Sequence, residues 1–151
     1  HGLSASRHEG DDTTPIGVFS IGTTMYGNAP NPGTHYPYLR LRCGSWWDEN
    51  PRSANYNQFV QLPCGTAPRL GASSSEALWR QPKAYASFAV INFNSRRVVG
   101  RGSGIFLHVE TGSATAGCVA LSPAHLVDLL TWLLPTSNPM IALSVAKVLS
   151  S

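Results

Sequence analysis

The chain has 151 residues, of which 42% are hydrophobic and 13% charged. That is enough for one domain with a real core and too little for two, and it is sparse in charge for a cytosolic surface. The net charge of +3 suits acidic partners such as an anionic cell envelope. Nucleic acid is disfavoured as a partner, because the 11 Lys and Arg residues are scattered and the nearest approach to a cluster is Arg96, Arg97 and Arg101. No run approaches the ~18 apolar residues of a membrane span. The chain begins at His1 without a Met, as expected of a processed or trimmed product.

Gly (14) and Pro (11) favour many turns and short strands over long helices. Residues 1–14 are polar and poorly patterned. "TPIGVFSIG" (14–22) predicts a strand, and "GNAPNPGTHYP" (27–37) a loop, since Pro and Gly break a ladder. "YLRLR" (38–42) alternates apolar and basic residues as a half-exposed strand does. Residues 43–72 read as mostly irregular. "SSSEALWR" (73–80) is a short helix candidate, because Ser73 and Glu76 have capping-box spacing.

"YASFAVINFN" (85–94) is the best strand, β-branched and aromatic at its centre. "SRRVVGRGSG" (95–104) predicts a turn, a short strand and a glycine-rich approach. "IFLHV" (105–109) and "CVALS" (118–122) follow as extended pieces, a hairpin-like pair of apolar runs. "SPAHLVDLLTWLL" (122–134) predicts the main helix, with Ser122 as N-cap, Pro123 at the first position and Leu126, Leu129, Leu130 and Leu133 on one face. "PMIALSVAKVL" (139–149) predicts a closing strand. The expected architecture is mostly β, with short strands, one main helix (about 122–134) and a short one (about 73–80).

Three cysteines are present. In a secreted chain an odd count suggests one bridge and one free thiol. Cys43 and Cys64 flank a loop rich in Asn, Pro and Ser and are read as the bridge, which leaves Cys118 free. The alternative is three reduced cysteines in a cytosolic protein.

The chemistry-bearing residues converge on 105–122. Cys118 follows "TAG", where the backbone N–H groups of Ala116, Gly117 and Cys118 could form an oxyanion-binding nest. His108 ends the preceding strand, and if the two extended pieces run side by side its imidazole meets the sulfur. Glu110 is near but offset by two along the strand, so the group that orients His108 stays open. A buried structural Cys and a structural His are the bland readings of the same residues. A zinc site built from His35, His108, Cys118 and His125 competes, but the chain has no CxxC, HxxxH or HExxH, and no metal or other cofactor is expected. Trp46, Trp47, Asp48, Tyr56 and Asn57 either pack their loop onto the body or form one wall of a cleft. Arg101 could hold an anionic substrate group or simply be solvated.

"GRGSGIFLHV…ATAGCVALS" resembles the catalytic signature of L,D-transpeptidase (YkuD-type) domains, in which a His ends one strand and a Ser/Thr-x-Gly-Cys motif follows. "EGDDTTPIGVFSIG" (9–22), "WWDENPRSANYNQFV" (46–60) and "FAVINFN" (88–94) resemble further segments of a secreted actinobacterial-type branch. The resemblance covers residues 9 to about 145.

It implies a YkuD-type β-sandwich and residues 1–151 as one catalytic domain, in which a strand that precedes the "EGDD" stretch of relatives could be missing. It also implies a secreted or cell-envelope location, peptidoglycan stem peptides as substrate and carbapenem-type β-lactams as acylating ligands. Cys118 would be the nucleophile, His108 the general base, and the backbone around Gly117 the oxyanion site. Thr115 completes the motif and, with Arg101, Trp47 and Tyr56, is a candidate substrate contact. The implied reaction is acylation by a stem tetrapeptide with release of D-Ala, then transfer to a diaminopimelate amine. Water as acceptor, giving an L,D-carboxypeptidase, is the alternative, as is a catalytically silent wall-binding module. Three features depart from the common pattern: Ala116 stands where a His precedes Gly-Cys, the His-to-Cys interval is short, and "CVALS" replaces an Asn-containing tail.

Overall fold

The computed structural model describes residues 2–68 and 74–145. Ser73, and the predicted last strand from residue 146 on, lie outside them. Strands β1 (Gly2–Ser4) and β2 (Thr13–Pro15) form a small parallel pair. The main sheet contains β3 (Gly17–Gly27), β4 (Tyr38–Arg40), β8 (Phe88–Ile91), β9 (Phe106–Val109), β10 (Val119–Leu121) and β11 (Met140–Leu143). Its order is β10-β9-β8-β3-β11, with β4 also paired to β3. A second sheet holds β5 (Ser45–Asp48), β6 (Gln58–Gln61) and β7 (Ser75–Ala77) in the order β6-β5-β7. The mostly β architecture, consistent with a β-sandwich, matches the sequence expectation.

Period-two alternation sorts the central strands into two cores. Ala89 and Ile91 of β8 and Leu107 and Val109 of β9 join a cluster with Ile21, Met25 and the helix leucines. Phe88 and Val90, with Phe106, join the opposite cluster with Trp47, Leu78 and Tyr85. The main helix, α1, runs Pro123–Trp132; Ser122 Oγ accepts from the His125 N–H at 3.4 Å, and Pro123 needs no partner for the N–H it lacks. Leu126 and Leu130 are fully buried and Leu133 caps the end, as their spacing predicts.

Several expectations change. Residues 43–68 are mostly turns and irregular chain, as expected, but they also hold β5 and β6, an antiparallel hairpin in which Trp47 pairs with Phe59. The Cys43–Cys64 disulfide closes its open end, as anticipated. The short helix over 73–80 is instead strand β7, paired Trp47 to Glu76 with β5, followed by a 3-10 turn at Leu78–Arg80. Pairing on an available sheet edge outweighs the local capping pattern, and the Glu76 carboxylate accepts from Tyr85 and Gln81 rather than from a helix terminus. The short strand expected within 95–104 is absent. Asn94 and Arg97 take left-handed turn conformations there, and Val98 and Val99 are exposed. The hairpin-like pair at 105–122 is also corrected, because β9 and β10 run parallel.

Candidate active site

The parallel ladder sets the site. Val119 lies opposite Leu107 and Ala120 opposite His108. Stepping back one residue puts Cys118 level with Phe106, on the same face as Phe106 and His108 and away from the α1 core. Cys118 accordingly packs on the aromatic cluster, while Leu107 and Val109 face the helix. Both His108 and Cys118 line a cleft of about 540 Å³, whose walls include Arg7 and Glu9 from the N-terminal segment, Glu49 after β5, Glu76 in β7, and Thr115 and Ala116.

His108 is held by its own strand end. Nδ1 lies 2.8 Å from the Val109 carbonyl oxygen. A carbonyl can only accept, so Nδ1 carries the proton and Nε2 is left as the basic nitrogen. The Tyr85 ring meets the imidazole edge-on, with centroids 5.6 Å apart. Glu110 is exposed and its side chain has no part in orienting the ring. Burial pushes the imidazole below its ordinary value, against the opposing effect of the Val109 hydrogen bond.

The Cys118 thiol donates to the Gly104 carbonyl oxygen and accepts from the Phe106 N–H, each at 3.3 Å. Burial pushes it up to about 12; the Phe106 N–H works in the other direction, the Glu76 and Glu49 carboxylates add to the rise, and the Arg7 charge opposes it. At neutral pH the pair therefore rests as thiol and imidazole rather than as an ion pair. Thr115 Oγ1 donates to the Cys118 carbonyl at 2.7 Å and closes the turn before the strand. Gly117 sits inside that turn, buried, with φ of +109°.

The supporting shell is built by the hairpin. Asn57 Oδ1 accepts from Trp47 Nε1 at 3.1 Å and from the Gly104 N–H at 3.0 Å, so the residue whose carbonyl accepts the thiol hydrogen bond is itself anchored. Glu9 accepts from the Tyr56 hydroxyl and from Ser103 Oγ. Trp47 and Tyr56 are thus buried struts behind the cleft and do not line it, and Trp46 packs edge-on against Trp79. Arg101 is exposed and also absent from the cleft walls. Burial, then the Glu76 and Glu9 carboxylates, push Glu49 up to about 8, so Glu49 is largely protonated at neutral pH.

Sequence reasoning missed Arg7, Glu9, Glu49 and Glu76 as cleft residues, and Tyr85 and Val109 as supports of His108. The Asp-x-Thr step at 11–13 was the available local signal for the first two: Asp11 Oδ1 accepts from the Thr13 N–H and Oγ1 and organises the N-terminal turn.

A family model for the YkuD L,D-transpeptidase catalytic domain matches residues 2–141. The chain belongs to this family. No curated protein and no solved structure matches it significantly. YkuD domains are cysteine-dependent L,D-transpeptidases acting on peptidoglycan, so this chain is an enzyme of that general kind.

Proposed function

We propose that the protein is a secreted peptidoglycan L,D-transpeptidase in which Cys118 is the nucleophile and His108 the general base. The observation that carries this reading is the placement of both side chains on one face of a parallel strand pair, open to the same cleft, in a YkuD chain. The low basicity of buried His108 keeps it neutral and able to accept a proton at neutral pH. The thiol gives its proton to Nε2 as Sγ attacks the carbonyl carbon of the L-configured residue, diaminopimelate, in a stem tetrapeptide. Backbone N–H groups at Ala116, Gly117 and Cys118 receive the negative oxygen that develops. The intermediate collapses, the C–N bond breaks, and the imidazolium protonates the departing D-Ala amine. The side-chain amine of a second diaminopimelate then attacks the thioester, loses its proton to His108 and releases the thiol, leaving a 3→3 cross-link. The Glu9 and Glu76 carboxylates on the cleft wall complement that cationic amine on approach.

The test is acylation and transfer. Incubation with a carbapenem is expected to add one drug mass to the intact protein, and Cys118→Ala to abolish the adduct. With a tetrapeptide donor, D-Ala release is expected to yield cross-linked dimer when a diaminopimelate acceptor is present. Absence of any adduct or D-Ala release, with Cys118 verified as reduced, overturns the reading. Release that yields only tripeptide identifies water as the acceptor and the enzyme as an L,D-carboxypeptidase.

A further inference from the structure

Arg7 lies in the stretch that sequence reasoning left unpatterned, yet its side chain is only 4% exposed. Nη1 donates to Asp11 Oδ1 at 3.3 Å and to the Thr13 carbonyl oxygen. The Phe93 ring centroid lies 6.0 Å from the guanidinium carbon. Nε is buried without a hydrogen-bond partner among the described residues. Burying a cation with an unmet donor is costly, so where the fold puts it is informative.

That place is the backbone beside the nucleophile. A Cβ added to Gly117 would collide with Nη1 and with the Thr13 carbonyl oxygen. A Cβ added to Gly102 would come within 2.7 Å of Nε. Both glycines have left-handed backbones, with φ of +109° and +102°. The guanidinium is therefore wedged between the loop entering β9 and the residue preceding Cys118, and it borders the cleft.

We propose that Arg7 is a positioning residue for Cys118: it braces the Gly117–Cys118 step and supplies the positive field that favours negative charge on Sγ and on the acyl-intermediate oxygen. This rests on the reading of Cys118 as the nucleophile. The charged and titratable groups sharing the cleft with the thiol are Arg7, Glu9 and Asp12 from the N-terminal segment, Glu49 after β5, Glu76 in β7, Tyr85, and His108 in β9. Arg7 is the cation among them, since His108 rests neutral. Asp11 screens it: burial alone would raise that carboxyl, but hydrogen bonds from His8 and Thr13 and the Arg7 charge hold it at about 2.

Cys118 is the free cysteine, Cys43 and Cys64 being bridged, so its iodoacetamide alkylation rate at one fixed, mildly alkaline pH, followed by intact mass, reads its thiolate fraction. In Arg7→Gln that rate is expected to fall by about tenfold, and carbapenem acylation at neutral pH to slow by about the same factor. Arg7→Lys restores the alkylation rate but recovers the acylation rate only in part, since an ammonium cannot reproduce the planar fork. Asp11→Asn, which removes the screening charge, raises the alkylation rate. A purely structural role predicts changes of the same sign in Arg7→Gln and Asp11→Asn, or none, and either result in folded protein overturns the proposal. Should Arg7→Gln fail to fold, Asp11→Asn decides alone, an unchanged or lowered rate counting against the proposal. Failure of the functional reading looks different: alkylation rates still change while carbapenem and tetrapeptide leave the wild-type protein unacylated.

Discussion

The two faces of the main sheet are built from the same strands and do different work. The face toward α1 is aliphatic, with Leu107, Leu126 and Leu130 essentially without solvent contact. The face toward the β5–β7 sheet is aromatic, and polar groups border it: Phe88, Phe106, Trp47 and Tyr85 pack beside His108, Cys118, Glu76 and Glu49. Aromatic rings fill volume while leaving edges, an indole N–H and a phenol to satisfy polar neighbours. The aliphatic face can only exclude water. One side is a closed apolar core and the other carries the proposed reactive pair, and β8 and β9 serve both through alternate residues.

Substitutions can separate the two. His108→Gln removes the base while keeping a similar volume, and is expected to slow carbapenem acylation by about 10²- to 10⁴-fold, with the thermal midpoint little changed; rates and melting curves on the same samples check this. Leu130→Ala on the other face should do the reverse, costing about 2–5 kcal/mol in denaturant unfolding while leaving the acylation rate of folded molecules unchanged. If Leu130→Ala slows acylation selectively, the faces are coupled more closely than their packing implies. Replacing Cys43 and Cys64 together by Ser opens the hairpin that carries Trp47 and Asn57, and should cost about 3 kcal/mol, measured by urea unfolding against wild type.

The smallest effect concerns pH. Glu49 ionises near its ordinary value of 4.5 when unfolded but at about 8 when folded. Its contribution is therefore present below the unfolded value and is lost as pH rises from 4.5 toward 8. Glu49→Gln should flatten the stability profile across that window and raise stability at its upper end. His108 carries the opposite sign. Its folded value lies below 6.5, so loss of the neutral base on acidification should place the acid limb of acylation below pH 6.5.

What the sequence disclosed follows the same division. Leucines at helical spacing behind a Ser-Pro cap announced α1, and β-branched and aromatic runs announced β8 and β9, because burial against one neighbour leaves a period in the chain. His108 and Cys118 were legible through the glycines and threonine around them and through the family-like segments. The β5–β6 hairpin was hidden by Pro, Asn and Ser in the long turn between its strands. Strand β7 was hidden because its conformation is decided by its partner β5, which is distant in the chain, rather than by Ser73 and Glu76. The Val109 carbonyl that holds His108 is backbone, which no residue type advertises. Arg7 stayed hidden in the unpatterned stretch 1–14 because Phe93, Gly102 and Gly117, which help to enclose it, are all distant in sequence.

The parallel pairing of β9 with β10 carries a last consequence. Strand register admits only whole-residue steps, and each step inverts the face a side chain occupies. The thiol can stand with the imidazole or across the sheet among the leucines, with no graded misalignment between. Changes in the exposed loop over 110–114 can alter what enters the cleft while the ladder keeps the sulfur and the imidazole on one side. The connection is thereby free to vary under selection for substrate, and the reactive pair is insulated from that variation.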